Sequence, residues 1–184
     1  MELETLFGLP AHPLMVHLPV VIIPLAGLIA VVFAFRTQWL DRFGWALVAL
    51  SGLGALGGIL AAGSGEGLED LGERKPGLHD HAEMGEVART LGIVFFLIVL
   101  GVVLVRHLAR RRGEGATGVW AFAGSKAGAI VAAVALVLSA GAATYTVSVA
   151  GHQGAKLKWG TETKERPAGE HDGDDEGDGD DDGD

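Results

Sequence analysis

LMVHLPVVIIPLAGLIAVVFAF, residues 14–35, carries no charged side chain from end to end. A helix rises 1.5 Å per residue, so about 20 apolar residues span the ~30 Å hydrocarbon layer of a bilayer. This run is long enough to cross and too long for the apolar core of a cleaved signal. The stretch before it, Met1 to Pro10, also lacks the basic residues of a signal. Three further uncharged stretches follow at Phe43–Gly65, Thr90–Val105 and Ala127–Gly151. Four spans in 184 residues leave short connections and one carboxyl tail. The expected fold class is therefore an all-α membrane protein, a four-transmembrane-helix bundle with spans at about 13–35, 43–65, 82–106 and 125–151. The expected organisation is a membrane domain over 1–159 and an acidic tail over 160–184.

Composition agrees with lipid as the solvent. Mean hydropathy is positive at +0.35, and 29 residues are glycine, a frequent residue in packed membrane helices. No cysteine is present, which excludes disulfides, haem attached through thioethers and thiolate-held iron–sulfur clusters. The net charge of −9 belongs to the tail: Gly160–Asp184 holds twelve acidic and two basic residues, leaving about +1 elsewhere. From His171 onward the tail has no apolar side chain, so it is expected to be disordered. Nothing indicates a nucleic-acid role, because the basic cluster is short and sits against the membrane.

Arginine position sets the expected orientation. Arg36 and Arg42 follow the first span, and Arg106, Arg110, Arg111, Arg112 and Lys126 lie between the third and fourth. Both arginine-bearing loops are expected in the cytoplasm and both termini outside, in the plasma membrane of a prokaryote. Pro19 and Pro24 each remove a helical hydrogen bond in the first span, which predicts a bend or local opening. Gly54 and Gly58, four apart, predict close helix approach. The third stretch is too short to cross alone, so its helix must extend upstream through Glu83, Glu86 and Arg89, with Asp80 as a candidate cap. Glu86 and Arg89 are spaced to pair.

Histidine distribution carries the functional signal. His12, His17, His79, His81 and His152 fall at the outer edges of three spans, whereas only His107 faces inward and His171 lies in the tail. A neutral imidazole offers one lone pair to haem iron, copper or zinc. One reading is a single haem b held by His17 and either His152 or His81, with Arg89 or Tyr145 positioned to bond a propionate or a quinone carbonyl. Asp80, Glu83 and Glu86 favour a second reading, in which His12, His17, His79, His81, Glu83, Glu86 and His152 supply ligands to copper or zinc. The third takes the histidines as interfacial side chains of a non-catalytic scaffold. No catalytic residue stands out, so an electron carrier or binding protein is expected rather than an enzyme. The expected partners are the lipid bilayer, a quinone or an extracytoplasmic redox protein, and the pattern admits a homo-oligomer.

The element His12-Pro13-Leu14-Met15-Val16-His17-Leu18-Pro19 resembles the opening of a prokaryotic family of four-span membrane proteins catalogued as domain of unknown function 2231. Two other pieces carry the same resemblance, His79-Asp80-His81-Ala82 and Gly151-His152-Gln153-Gly154-Ala155-Lys156-Leu157. It covers roughly residues 8–162 and leaves out the tail. The resemblance implies the four-helix fold, a membrane location and a cytochrome-like haem.

Overall fold

The structure is a computed structural model. It describes residues 5–6, 9–70, 77–113 and 117–159, with side chains described over 15–64, at 77, and over 79–113 and 117–157. The expected acidic tail and the side chain of His12 lie outside the described residues. After a two-residue antiparallel ladder between Thr5–Leu6 (β1) and Leu9–Pro10 (β2) the described chain is helical. Four long helices follow: α1 (Ala11–Phe35), α2 (Thr37–Asp70), α3 (Leu78–Arg112) and α5 (Lys126–Trp159). A short α4 (Val119–Gly124) precedes the last. The segments Met15–Phe35, Thr37–Ser64, His79–Arg112 and Lys126–Leu157 are each long and apolar enough to span a bilayer.

The helices form a closed ring in which α1 and α3 each pack on both α2 and α5. Neighbours run antiparallel, since Gly57 meets Leu18 and Gly54 meets Ile23 as the two chains pass in opposite directions. Phe95, Ile23, Leu47, Leu136 and Val99 fill the centre. Val21, Leu25, Leu28 and Leu138 face outward, as expected of side chains in contact with acyl chains.

Helix ends depart from the sequence expectation in instructive ways. Arg36 alone separates α1 from α2, so residues 37–42, expected as a loop, are the first turns of a helix. Both prolines stay inside a continuous α1. Pro19 is buried and its Cδ faces Gly57, so α2 packs where the ring removes a helical donor. α3 does extend upstream through Glu83, Glu86 and Arg89, and Glu86 pairs with Arg89 at 3.8 Å. Asp80 does not cap it: the helix starts from Gly77 in a left-handed conformation (φ 88°), which puts Asp80 inside the first turn. There its carboxylate still opposes the positive end of the helix dipole. α4 was not anticipated. Ser125 separates it from α5 and caps the longer helix, its Oγ accepting from the Gly128 amide at 3.1 Å.

Glycines set the helix spacing. A Cβ at Gly54 would meet Ile23 Cγ1 at 2.9 Å, and one at Gly44 would meet Val103 Cγ2 at the same distance. Gly58, the other half of the predicted pair, serves a different seam, lying against the Arg89 backbone on α3. At the far end Asp41 of α2 clamps α3: it accepts from Arg106 Nε at 2.9 Å and Nη2 at 3.2 Å, while Arg110 donates to its backbone carbonyl at 3.1 Å. Gly54→Val should therefore cost about 1–3 kcal/mol through overpacking. Gly101→Ala, where nothing lies within 4 Å, should not be destabilising. Thermal unfolding of the two variants in the same detergent checks this.

Candidate functional site

The outer end of the bundle, where α1 begins and α5 ends, holds the histidines. Seam contacts fix their levels. Val20 of α1 would lie 3.5 Å from a Cβ at Gly151, and the His81 ring would lie 3.0 Å from a Cβ at Gly154. The lack of a side chain at Gly154 thus lets the His81 ring of α3 approach the last turns of α5, whereas Val20 of α1 lies at ordinary contact distance from Gly151.

Helical periodicity then decides which way each imidazole points. His81 is in register with Ala88, Phe95 and Val99, the buried stripe of α3. It turns inward, partly buried, with its Cε1 edge seated in the Gly154 notch. His79, Glu83 and Glu86 lie on the opposite, exposed face of the same helix. His17 shares the exposed side of α1 with Val21 and Leu28, and His152 shares that of α5 with Tyr145, which is 70% exposed. His17 precedes Val20 by about one turn and His152 directly follows Gly151. The two histidines are thus both exposed, on neighbouring helices and towards the same end of the bundle. Arg89 is on the opposite seam, between α2 and α3, in its ion pair with Glu86.

The expected residues thus fall into three places rather than one. His17, His152 and Tyr145 line the outside of the α1–α5 pair. His81 closes the bundle interior, and His79, Glu83 and Glu86 face away from both. Among the described residues no three His, Cys, Asp or Glu side chains converge as a metal group. His12 follows the start of α1, its side chain outside the described set.

Sequence reading passed over Gln153. Its Oε1 is buried and has no hydrogen-bond partner among the described residues. Next to it, Gly154 touches His81, whose Nδ1 is equally enclosed. A buried amide oxygen needs a donor, so this niche is a polar pocket in an apolar bundle. The signal was available, since Gln153 is a polar residue in an otherwise small-residue turn of a membrane helix.

The chain matches a family described as predicted membrane protein (domain of unknown function 2231) over residues 8–167. It belongs to that family. No curated protein and no solved structure matches it. Family membership agrees with the four-helix membrane fold and is silent on chemistry.

Because His81 is packed and His79 is not, their removal should differ in haem-free protein. His81→Ala should lower stability by about 1–3 kcal/mol, whereas His79→Ala should stay within about 0.5 kcal/mol, the usual range of surface changes. Heat denaturation of both variants measures the difference.

Proposed function

We propose that this protein is a small membrane electron carrier that binds one haem b at its outer end, where His17 and His152 are the residues that would hold it. One observation carries the reading: His17 and His152 are both exposed on neighbouring antiparallel helices, close along the chain to where Val20 meets Gly151. A low-spin haem iron takes two donors of this kind, and two exposed imidazoles on neighbouring helices are what α1 and α5 supply. Copper or zinc usually takes three or four ligands.

In this reading α1 and α5 act as rigid arms that fix the ligand spacing, and Gly27, whose Cβ would meet Thr144 Oγ1 at 2.8 Å, sets how close the arms lie. Bound haem supplies a reversible one-electron couple. Tyr145 shares the outward face of α5 with His152, two helical turns deeper. Its hydroxyl is placed to donate to the carbonyl of a quinone arriving through the bilayer. His81 acts from inside, its ring seated at Gly154 where α3 meets α5.

Protein expressed with ample haem should give a reduced-minus-oxidised spectrum with a sharp α-band and a shifted Soret peak. His17→Ala and His152→Ala should each abolish that low-spin signature, and His81→Ala should retain it. Loss with His81→Ala and retention with His152→Ala would move the second ligand to α3. A flat spectrum from folded protein would end the haem reading; stoichiometric copper or zinc would then revive a metal site, and its absence would leave a scaffold.

The same reading places the haem end, and both termini, outside the cytoplasm. The chain has no cysteine, so an introduced one is a clean reporter. In intact cells a membrane-impermeant maleimide should label His79→Cys, while Thr117→Cys should react only after permeabilisation. The reverse pattern would invert the topology.

A further inference from the structure

The opposite end of the bundle has a cavity that the haem reading does not use. A cleft of about 410 Å³ lies between the last turns of α3 and the short α4, lined by Arg106, Ala109, Arg110, Trp120, Ala123 and Gly124 among others. Two guanidinium groups therefore form part of its wall. Asp41 is the one carboxylate at this end among the described residues, and it meets both of them: Arg106 at 2.9 Å and Arg110 at 3.3 Å. Among the described residues, two cations thus meet one anion here.

The two arginines are not equivalent. Arg106 is held by two side-chain bonds to Asp41 and is 16% exposed, whereas the Arg110 side chain is 50% exposed. Arg106 is thus a fixed charge in the wall, and Arg110 has donor edges left for a second acceptor. Arg112 lies over the Trp120 ring at 4.0 Å, which adds a third cation at the rim. Arg111 and Lys126 are nearby and also have no carboxylate partner among the described residues.

Depth identifies the ligand. The uncharged part of α3 ends at Val105, one residue before the first cleft arginine. Trp39, Trp45 and Trp120 all fall at this end, and tryptophans gather where hydrocarbon meets headgroups. α4 exposes Val119 and Phe122, apolar side chains suited to lie against acyl chains beside the cleft. A concave, cationic, guanidinium-lined site at headgroup depth matches a phosphodiester, because guanidinium forks bind phosphate oxygens in pairs.

We propose that this cleft binds the phosphate of an anionic phospholipid headgroup, with the half-exposed Arg110 as its ligand in the wall, Arg112 as a second cation at the rim, Arg106 as a fixed charge and Trp120 as the interfacial wall. The bound lipid adds to the Arg112–Trp120 contact that already joins the end of α3 to α4. The site stands independently of any haem at the other end. Basic pockets between membrane helices are a known mode of anionic headgroup recognition.

The test uses the full chain in dodecyl maltoside, titrated separately with phosphatidylglycerol, phosphatidylcholine and inorganic phosphate. Native mass spectrometry counts bound lipid and thermal unfolding reads the consequence. Phosphatidylglycerol should bind at one per chain and raise the unfolding temperature; phosphatidylcholine and inorganic phosphate should do neither. Arg110→Gln should weaken phosphatidylglycerol binding roughly tenfold, the worth of one charge-assisted hydrogen bond. Arg111→Gln, which lies outside the cleft lining, should bind like the parent. Equal losses for the two variants would reduce the effect to general surface charge and overturn the site. Equal binding of phosphatidylcholine, or a response to inorganic phosphate that matches the lipid's, would overturn the assignment to an anionic headgroup. If Arg110→Gln does not fold, Arg112→Gln takes its place, and binding unchanged from the parent would count against the proposal.

Discussion

Helices in lipid gain little from burying apolar surface against one another, because acyl chains are as apolar as leucine. What holds this bundle must therefore be the distance of approach, and glycine sets that distance. Dispersion falls off steeply with separation, so a seam a fraction of an ångström wider gives up a large part of its attraction. Ile23 reaches under Gly54 and Val103 under Gly44, each seam gaining contact that any larger residue would block. The same constraint reaches the histidine end. Gly154 admits the His81 ring, so the packing rule that builds the bundle also decides which imidazole turns inward.

Span positions were legible from the sequence because the length of an apolar run is a physical requirement of the bilayer. The paired glycines were legible as packing, though not that Gly54 serves α1 while Gly58 serves α3. α4 was invisible for a clear reason. Six residues between glycines are too short to show a helical period, and its order depends on Ser125 and on contacts with α3. Asp41 gave no signal either, since its partners lie 65 and 69 residues away and no local spacing links them.

At the candidate site, residue type was legible and direction was not. Counting histidines at one depth correctly placed His17, His81 and His152 at the same end. Depth says nothing about azimuth. His81 sits seven residues before the buried Ala88, whereas His17 sits four before the exposed Val21. The two point in opposite senses relative to the core. That phase can be read from sequence only once the buried stripe of each helix is known, and near-uniformly apolar helices conceal it. In water a polar face marks the outside of a helix; in lipid the outside is as apolar as the core.

The two ends of the bundle are built on different physics, and the difference bears on how each can work. At the arginine end Asp41 fixes α2 to α3 through directed, charge-assisted bonds, the kind least tolerant of displacement. At the histidine end the contact that closes α3 on α5 is of another kind: the His81 ring sits at Gly154, a fit of shape rather than of charge. Asp41 holds Arg106 by two side-chain bonds and also meets Arg110, but the Arg110 side chain is half exposed and keeps donor edges for a second acceptor. One aspartate at the start of α2 thus shapes the arginine end, and one glycine in the last turns of α5 decides which imidazole turns inward.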